Sequence, residues 1–308
     1  MLNLNSRIKR IFFKDAPLKT FYISRLKASD IKENVVLVSN KTTIDVSSTH
    51  GMICLDPFCV AVWLSNNQIQ TIDSKKLTLV LKTGPVTNAT ITGNLIEGVS
   101  TVNGQLLLYK IANVKNRHFT ILHRFALFAY LLKSKTNTYY SRKVISALYS
   151  YPRNVIIVSY QDADYCNIFP MDIHCFLEKE SLYILGLRTT NVALDKILGS
   201  KKVVVCDSNA VDTETVYQLG KHPSKSPTAL ADMPFEVKPS QVFGFPVPDF
   251  TGSYKEIEII YNRKMGYHML MLGKVVNHVN LKPDPSSLYH IGFLQYQGSD
   301  YSSVDGLY

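Results

Sequence analysis

Residues 154–159 read Asn-Val-Ile-Ile-Val-Ser, and residues 34–39 read Asn-Val-Val-Leu-Val-Ser. Later in each half, a Ser-Lys-Lys sequence opens another apolar run, at residues 200–205 and at residues 74–80. Landmarks that return in the same order with altered spacing are typical of duplicated strands joined by different loops. The sequence therefore predicts two related β domains in one chain.

The composition favours a mostly β protein. The chain has 308 residues, enough for two domains of ordinary size, and 46% of them are hydrophobic. Its 18 Tyr and 14 Phe, together with runs of Val and Ile, favour strands, because aromatic and β-branched side chains suit a half-buried pleated surface. Strand, turn and strand follow one another with few helices, which is typical of a barrel. We expect two tandem barrel-like domains, residues 1–125 and 126–308, joined through helices near 116–132 and 140–149.

The net charge of +10 is unevenly distributed. Residues 1–125 hold 16 Lys and Arg against 7 Asp and Glu, whereas residues 126–308 hold 18 against 17. The basic residues are scattered singly, without the clusters or interleaved aromatics of a nucleic-acid surface. Nucleic-acid binding is therefore not expected, although a basic module that binds a polyanion stays an alternative.

The cysteines and the apolar segments of the sequence indicate the cellular compartment to expect for the protein. None of the five cysteines lies at zinc-binding spacing, and no metal site is expected. The odd number of cysteines and the lack of a cleavable signal fit a reducing cytoplasm. The longest apolar segment, residues 119–132, contains His123 and Arg124 and is too short to cross a bilayer. We expect a cytoplasmic protein without a membrane span.

The usual motifs of several enzyme classes are missing. The sequence has no Ser/His/Asp nucleophile motif, no Walker loop and no Gly-x-Gly-x-x-Gly fingerprint. What remains is the polar segment 167–172, Asn-Ile-Phe-Pro-Met-Asp, between two apparent strands. Its backbone could meet the edge of a planar heteroaromatic ring while Phe169 and Met171 cover the face. The alternative is a strand connection with core aromatics.

Two further segments are candidates. Arg188-Thr189-Thr190 follows a predicted strand and precedes a predicted helix, so a guanidinium, two hydroxyls and helix N-terminal amides come together, as in a phosphate site. The alternative is a helix cap at Thr190 or Asn191 beside a solvated Arg. Lys201 could add charge to the same anion. His268 could meet a second ligand at the start of a strand, or could be a structural histidine.

The region from about 140 to 301 resembles the flavin reductase-like family of FMN-binding split β-barrels. The features that carry the resemblance are residues 154–159, the segment 167–172, Leu187-Arg188-Thr189, Ser200-Lys201-Lys202, residues 219–222, and Gly266-Tyr267-His268 with residues 272–275. Their order extends over about half of the chain. Residues 1–125 resemble a degenerate second copy of the same barrel.

The resemblance implies a Greek-key split barrel and a flavin site. It implies that the isoalloxazine ring is lined by Asn167, Ile168, Phe169, Pro170, Met171 and Asp172. It also implies that the ribityl phosphate is held by Arg188, Thr189, Thr190 and Asn191, with Lys201 as a further contact. Family members that use a nicotinamide donor carry Gly-Asp-His near the flavin, and here Tyr267 replaces the acidic residue while Gly266 and His268 remain.

The function implied is an FMN-dependent flavoprotein oxidoreductase, a flavin reductase that uses NADH or NADPH, with FAD as an alternative cofactor and His268 as the catalytic candidate. A flavin-binding or flavin-storing protein without nicotinamide turnover is the alternative, because Tyr267 departs from the family motif. The flavin commonly lies at a subunit interface in this family. The resemblance therefore implies either a homodimer or an intrachain pseudo-dimer with one flavin site.

Overall fold

The computed structural model describes residues 20–39, 42–117, 138–221, 229–282 and 286–304, together with positions 121, 124, 125 and 128. Most of the predicted helix over 116–132 lies outside these residues. Strands dominate the described chain, so the prediction of a mostly β fold with few helices is confirmed.

A seven-stranded antiparallel sheet forms the first half of the chain, with the strand order β3-β2-β6-β7-β8-β5-β4. Its strands are β2 (Glu33–Ser39), β3 (Thr42–Asp45), β4 (His50–Leu55), β5 (Phe58–Ser65), β6 (Lys76–Thr83), β7 (Val86–Ser100) and β8 (Gly104–Asn116). The helical turn α1 (Asn66–Ile69) follows β5, and Ser65 caps it because its side chain accepts a hydrogen bond from the Gln68 backbone.

A second seven-stranded sheet forms the other half, with the order β11-β10-β14-β17-β18-β13-β12. Its strands are β10 (Ile156–Gln161), β11 (Cys166–Met171), β12 (His174–Leu177), β13 (Leu182–Arg188), β14 (Lys202–Cys206), β17 (Ser253–Met265) and β18 (His268–Asn280). When the strands of each sheet are numbered along the chain, the two orders are identical. The two halves thus share one topology.

Two smaller sheets, four further α-helices, three short 3-10 helices (Ala28–Asp30, Glu178–Glu180 and Leu230–Asp232) and the helical positions 121, 124, 125 and 128 complete the described fold. β1 (Phe21–Leu26) pairs with β19 (Ser287–Gly292), which pairs with β9 (Arg153–Asn154), so residues near both ends of the chain share one sheet. β15 (Val237–Pro239) pairs with β16 (Pro246–Pro248). The helices are α2 (Tyr139–Leu148), α3 (Ala193–Ser200), α4 (Thr213–Lys221) and α5 (Phe293–Gln297). Among the described residues, every helix is too short or too polar to traverse a bilayer.

Each half has its own apolar core, and a third cluster joins the two. Leu37, Leu79 and Ile91 belong to the first core, and Ile157, Val204 and Ile257 belong to the second. The joining cluster takes side chains from both sheets: Ile53, Cys54, Cys59, Ala61, Trp63, Leu106, Leu108, Cys175, Leu177, Leu182, Ile184, Met265, Leu270 and Leu272. Since these side chains are nearly all fully buried, the halves pack as one body through this apolar contact.

The segment 167–172 differs from its predicted form. It was expected to connect two strands, but residues up to Met171 form strand β11 at the edge of the second sheet. The tight turn at residues 162–165 explains the difference. Asp162 Oδ1 accepts hydrogen bonds from the backbones of Asp164 and Tyr165, and the chain reverses there and pairs with β10. Pro170 fits an edge position because it has no N–H to donate to a further strand.

Candidate functional site

A cavity of about 470 Å³ lies where β11, the end of β13 and the start of β18 meet residues of the first half. Its volume falls within the range of about 300 to 1,000 Å³ that is usual for small-molecule sites. The residues that line it are Phe21, Leu55, Tyr149, Asn167, Phe169, Pro170, Met171, Asp172, Ile173, Gly186, Leu187, Arg188, Thr190, Asn191, Leu219, Gly220, His268 and His290. Nine of the twelve sequence-predicted site residues are in this set.

Strand β11 supplies one wall of the cavity. Among the described strands it pairs only with β10, and alternate residues of an edge strand direct their backbone N–H and C=O groups away from the sheet. Phe169, Pro170 and Met171 add apolar surface along the same wall. This wall therefore combines backbone hydrogen-bonding groups with a surface that a flat ring could contact.

Two of the residues that line the cavity carry a buried polar side-chain atom that has no hydrogen-bond partner among the described residues. The two atoms are Oδ1 of Asn167 and Nε2 of His268, and the two side chains are only 2% and 3% exposed. The other amide atom of Asn167, Nδ2, donates to the Tyr165 hydroxyl at 2.8 Å. Buried polar groups are almost always paired, so these two atoms are candidates for hydrogen bonds to a polar ligand.

His268 is held as a neutral imidazole. Burial and, to a smaller extent, the nearby charge of Arg188 lower its pKa to about 4, against the opposing effect of Asp172. Its Nδ1 lies 3.5 Å from the Sγ of Cys54, which belongs to the first half of the chain. Since Nδ1 faces that thiol, the unpartnered Nε2 is the ring atom left for a ligand.

The rim of the cavity is positively charged. Arg188 is the last residue of β13, directly opposite His268 in the ladder with β18, and its guanidinium is exposed. Among the described residues it forms no ion pair. Thr190 and Asn191 line the same side, just before helix α3. Asn191 Oδ1 accepts a hydrogen bond from the backbone of Ala193 and thus occupies one of the free amides of that helix.

Three predicted site residues do not line the cavity. Ile168 is 1% exposed and packs in the core of the second half. Thr189 donates through its backbone N–H and its hydroxyl to the carbonyl of Tyr267, which fixes the end of β13 to the β17–β18 turn. Lys201 caps the C-terminal end of α3, on the order of 12 Å from the end that carries Asn191.

A hydrogen-bonded group that the sequence did not reveal lies beside the predicted residues. Asp172 Oδ2 accepts from Tyr149 Oη at 2.6 Å and from His290 Nδ1 at 2.7 Å. His290 Nε2 in turn meets the hydroxyl of Tyr217, and the ring of Phe21 stacks on His290 with centroids 3.9 Å apart. These residues come from β1, the C-terminal cap of α2, the position after β11, α4 and β19, so no sequence spacing connects them.

The charge of Asp172 is fixed by this group. Burial would raise its pKa, but the hydrogen bond from His290, the positive charge of that ring when it is protonated, and the hydrogen bond from Tyr149 outweigh burial and hold the pKa at about 2. The pKa of Tyr149 is raised well above 10, first by burial and then by Asp172. At neutral pH the cavity wall therefore carries a carboxylate that accepts hydrogen bonds from a neutral phenol and from an imidazole N–H.

We compared the chain with known proteins. No family model matches the sequence, and no curated protein matches it. Solved structures with similar folds include an FMN-binding protein from Thermus thermophilus with bound 1-cyclohex-2-enone (15% identity, 51% of this chain and 90% of that chain, TM-score 0.41). A second is an NADH:FAD oxidoreductase from Streptomyces globisporus (13% identity, 48% and 86%, TM-score 0.42). A third is a homologue of nitrilotriacetate monooxygenase component B from Mycobacterium thermoresistibile (17% identity, 51% and 83%, TM-score 0.41).

Proposed function

We propose that this protein binds a flavin, FMN in the first place, in the 470 Å³ cavity, and that it is a flavin-dependent oxidoreductase of the flavin reductase type. One observation carries the proposal above the others. The unpartnered Oδ1 of Asn167 and Nε2 of His268 belong to residues that line the same cavity as edge strand β11. A planar ring with N–H and C=O groups along its edge would satisfy such a wall.

The charged rim supports a flavin with a phosphate. Arg188 lies unpaired at the mouth of the cavity, as judged from the described residues, and Thr190 offers a hydroxyl beside it. A guanidinium, a hydroxyl and the start of α3 form a suitable set for a phosphate group. FMN requires one such anchor, at the end of the ribityl chain.

The bound flavin would supply the hydride and electron transfer. The residues of the chain then have three tasks. Asn167 and the edge of β11 orient the ring, Phe169 and Met171 exclude water from it, and His268 presents Nε2 to the ligand as a neutral hydrogen-bonding atom. No covalent catalysis by a side chain is required.

We further propose that the first half of the chain is a degenerate second barrel that takes the place of a partner subunit. The identical strand order of the two sheets and the joining cluster support this proposal. Leu55 from the first half lines the flavin cavity. At the related position, where Leu177 replaces Leu55, a 390 Å³ cavity has the charged lining residues Asp45, Glu178, Lys179 and Glu180. Because the carboxylates outnumber the one ammonium and their net charge would repel a phosphate, we expect one flavin per chain.

A reduced nicotinamide nucleotide is the proposed hydride donor. Tyr267, which stands where the family motif has an acidic residue, is 64% exposed beside the cavity and could form part of the donor site. The alternative is a flavin-binding protein that takes no hydride from nicotinamide. Stopped-flow mixing of the FMN-loaded protein with NADH and with NADPH separates the two, because rapid loss of flavin absorbance excludes the alternative.

Titration of FMN fluorescence tests the binding proposal. We expect wild-type protein to quench FMN, and Asn167→Leu to weaken binding at least tenfold, about 1.4 kcal/mol, because the amide contact is lost. Asn94 is exposed on β7, so Asn94→Leu is the matched control and should bind FMN like wild type. Equal affinity of the two variants would remove Asn167 from the site, and a wild-type protein that binds no FMN would end the proposal.

A further inference from the structure

Tyr217, His290 and Asp172 form a continuous hydrogen-bonded chain that the flavin proposal does not use. Asp172 and His290 line the main cavity, whereas Tyr217 lines a neighbouring cavity of about 280 Å³, of which His290 and Asp172 form part of the wall as well. Tyr217 is partly exposed. These hydrogen bonds therefore connect the partly exposed Tyr217 with the wall of the main cavity.

The direction of the hydrogen bonds between Tyr217, His290 and Asp172 follows from the groups at the two ends of the series. The Asp172 carboxylate accepts from His290 Nδ1, so Nδ1 keeps its proton in either charge state of the ring. The proton can then change only at Nε2, which meets the Tyr217 hydroxyl. A hydroxyl donates to a neutral imidazole and accepts from an imidazolium, so His290 can gain a proton without any loss of hydrogen bonds.

Some of the charged groups around His290 favour a proton on Nε2, and others oppose it. Asp172 stabilises an imidazolium, and Tyr149 shares that carboxylate. Arg153 on β9 is the cross-strand neighbour of His290 and is a buried cation that opposes protonation, and His174 lies near Asp172. On the other side of β19, the neighbour is the uncharged Ile23. Negative charge in the main cavity would shift this balance towards the imidazolium.

We infer that Tyr217, His290 and Asp172 form a proton relay, through which His290 takes up one proton from solvent when a flavin in the cavity is reduced by two electrons. This inference rests on the proposed function. A reduced nicotinamide gives up a hydride, which is two electrons and one proton, and is oxidised. The second proton passes from Tyr217 Oη to His290 Nε2, and Tyr217 regains a proton from water. The positive charge on His290 then compensates the negative charge that reduction leaves in the cavity.

The pH dependence of the flavin midpoint potential tests the relay. Each coupled proton changes the equilibrium constant tenfold per pH unit, about 30 mV for a two-electron couple. We expect wild-type protein loaded with FMN to show the slope of two protons near neutral pH and His290→Gln to show the slope of one. A one-proton slope in the wild type, or an unchanged slope in the variant, overturns the relay. Failure of the wild type to bind FMN overturns the proposed function as well, so the two failures are distinguishable.

A second variant tests the relay independently in case His290→Gln does not fold. Tyr217→Phe removes the outer member of the relay, and we expect proton uptake, followed with an indicator dye, to lag flavin reduction at least tenfold. Tyr183→Phe is the matched control, because Tyr183 makes a similar bond to His174 Nδ1, 3.0 Å long, and neither residue lines the main cavity. Simultaneous uptake in Tyr217→Phe would overturn the relay, as would the same lag in Tyr183→Phe.

Discussion

Asp172 and His290 lie 118 residues apart in the sequence, and Oδ2 of the first is 2.7 Å from Nδ1 of the second. This contact fastens the end of edge strand β11 to strand β19, and β19 carries β1 from the beginning of the described chain. One wall of the candidate flavin cavity is thus held to the small β1-β19-β9 sheet, which is separate from the two seven-stranded sheets. The contact should therefore contribute to stability as well as to the site.

Asp172→Asn should lower the free energy of unfolding by about 2 kcal/mol at neutral pH, because the folded pKa of about 2 is below the unfolded value of about 3.8. A depressed carboxyl pKa stabilises the fold above the unfolded pKa, and this contribution is lost as the pH falls through the folded pKa. The difference between variant and wild type in urea unfolding should therefore shrink from about pH 4 towards about pH 2. Asp164→Asn, at an exposed position, is the control. A difference that does not vary with pH would contradict the argument.

His268 should make the protein less stable in mild acid. Its folded pKa of about 4 lies below the unfolded value of 6.5, so between these values the unfolded chain binds the proton and the folded protein does not. As the pH falls from about 6.5 to about 4, the free energy of unfolding of the wild type should fall by roughly 3 kcal/mol more than that of His268→Asn. Chemical denaturation across this range measures the difference. Parallel curves for the two proteins would show that His268 titrates normally in the fold.

Arg188→Gln should reduce FMN binding far more than riboflavin binding, because riboflavin lacks the phosphate that the guanidinium would contact. We expect the ratio of the two affinities to fall at least tenfold, about 1.4 kcal/mol. Lys201→Gln is the control of equal charge change, since Lys201 does not line the cavity. An equal effect of both substitutions would mean that general electrostatic attraction, rather than a phosphate contact, explains the preference.

Gly186→Ala should destabilise the contact between the two halves. A Cβ at this position would lie 2.7 Å from the backbone oxygen of Ile53, which belongs to the other sheet. Overpacking of this kind typically costs 1 to 3 kcal/mol, so we expect a loss of about 2 kcal/mol in thermal or urea unfolding. Gly199→Ala is the control, because that glycine lies in α3 with open space around it, and alanine should stabilise the helix slightly. An unchanged stability of Gly186→Ala would contradict the close approach.

The sequence predicted the parts of the fold that depend on local pattern. The repeated apolar runs at residues 34–39 and 154–159 indicated strands β2 and β10, and these strands occupy equivalent positions in the two sheets. The helix at residues 140–149 was also predicted, within one residue of its observed bounds. Alternation and helical spacing are local properties, so one sequence suffices to detect them.

The site residues that only tertiary packing brings to the cavity could not be predicted from local sequence patterns. Asn167, Arg188 and His268 were chosen from local motifs and do line one cavity. Phe21, Tyr149 and His290 line it too. Phe21 and His290 arrive there through strand pairing over more than 100 residues, and Tyr149 arrives through the packing of the end of helix α2, 23 residues before Asp172. A lone His in a strand carries no signal of a carboxylate 118 residues away. The resemblance implies Lys201 as a further phosphate contact beside Arg188, yet helix α3 separates the two residues.

The number of FMN molecules bound per chain tests the central claim most directly. Equilibrium dialysis of the purified protein against FMN should give one FMN per chain of 308 residues, because we propose that the cavity beside Asn167 holds the flavin and that the net negative charge of its counterpart beside Asp45 repels the phosphate. Two FMN per chain would contradict the proposal that the first half has lost its site. No bound FMN would contradict the flavin site itself.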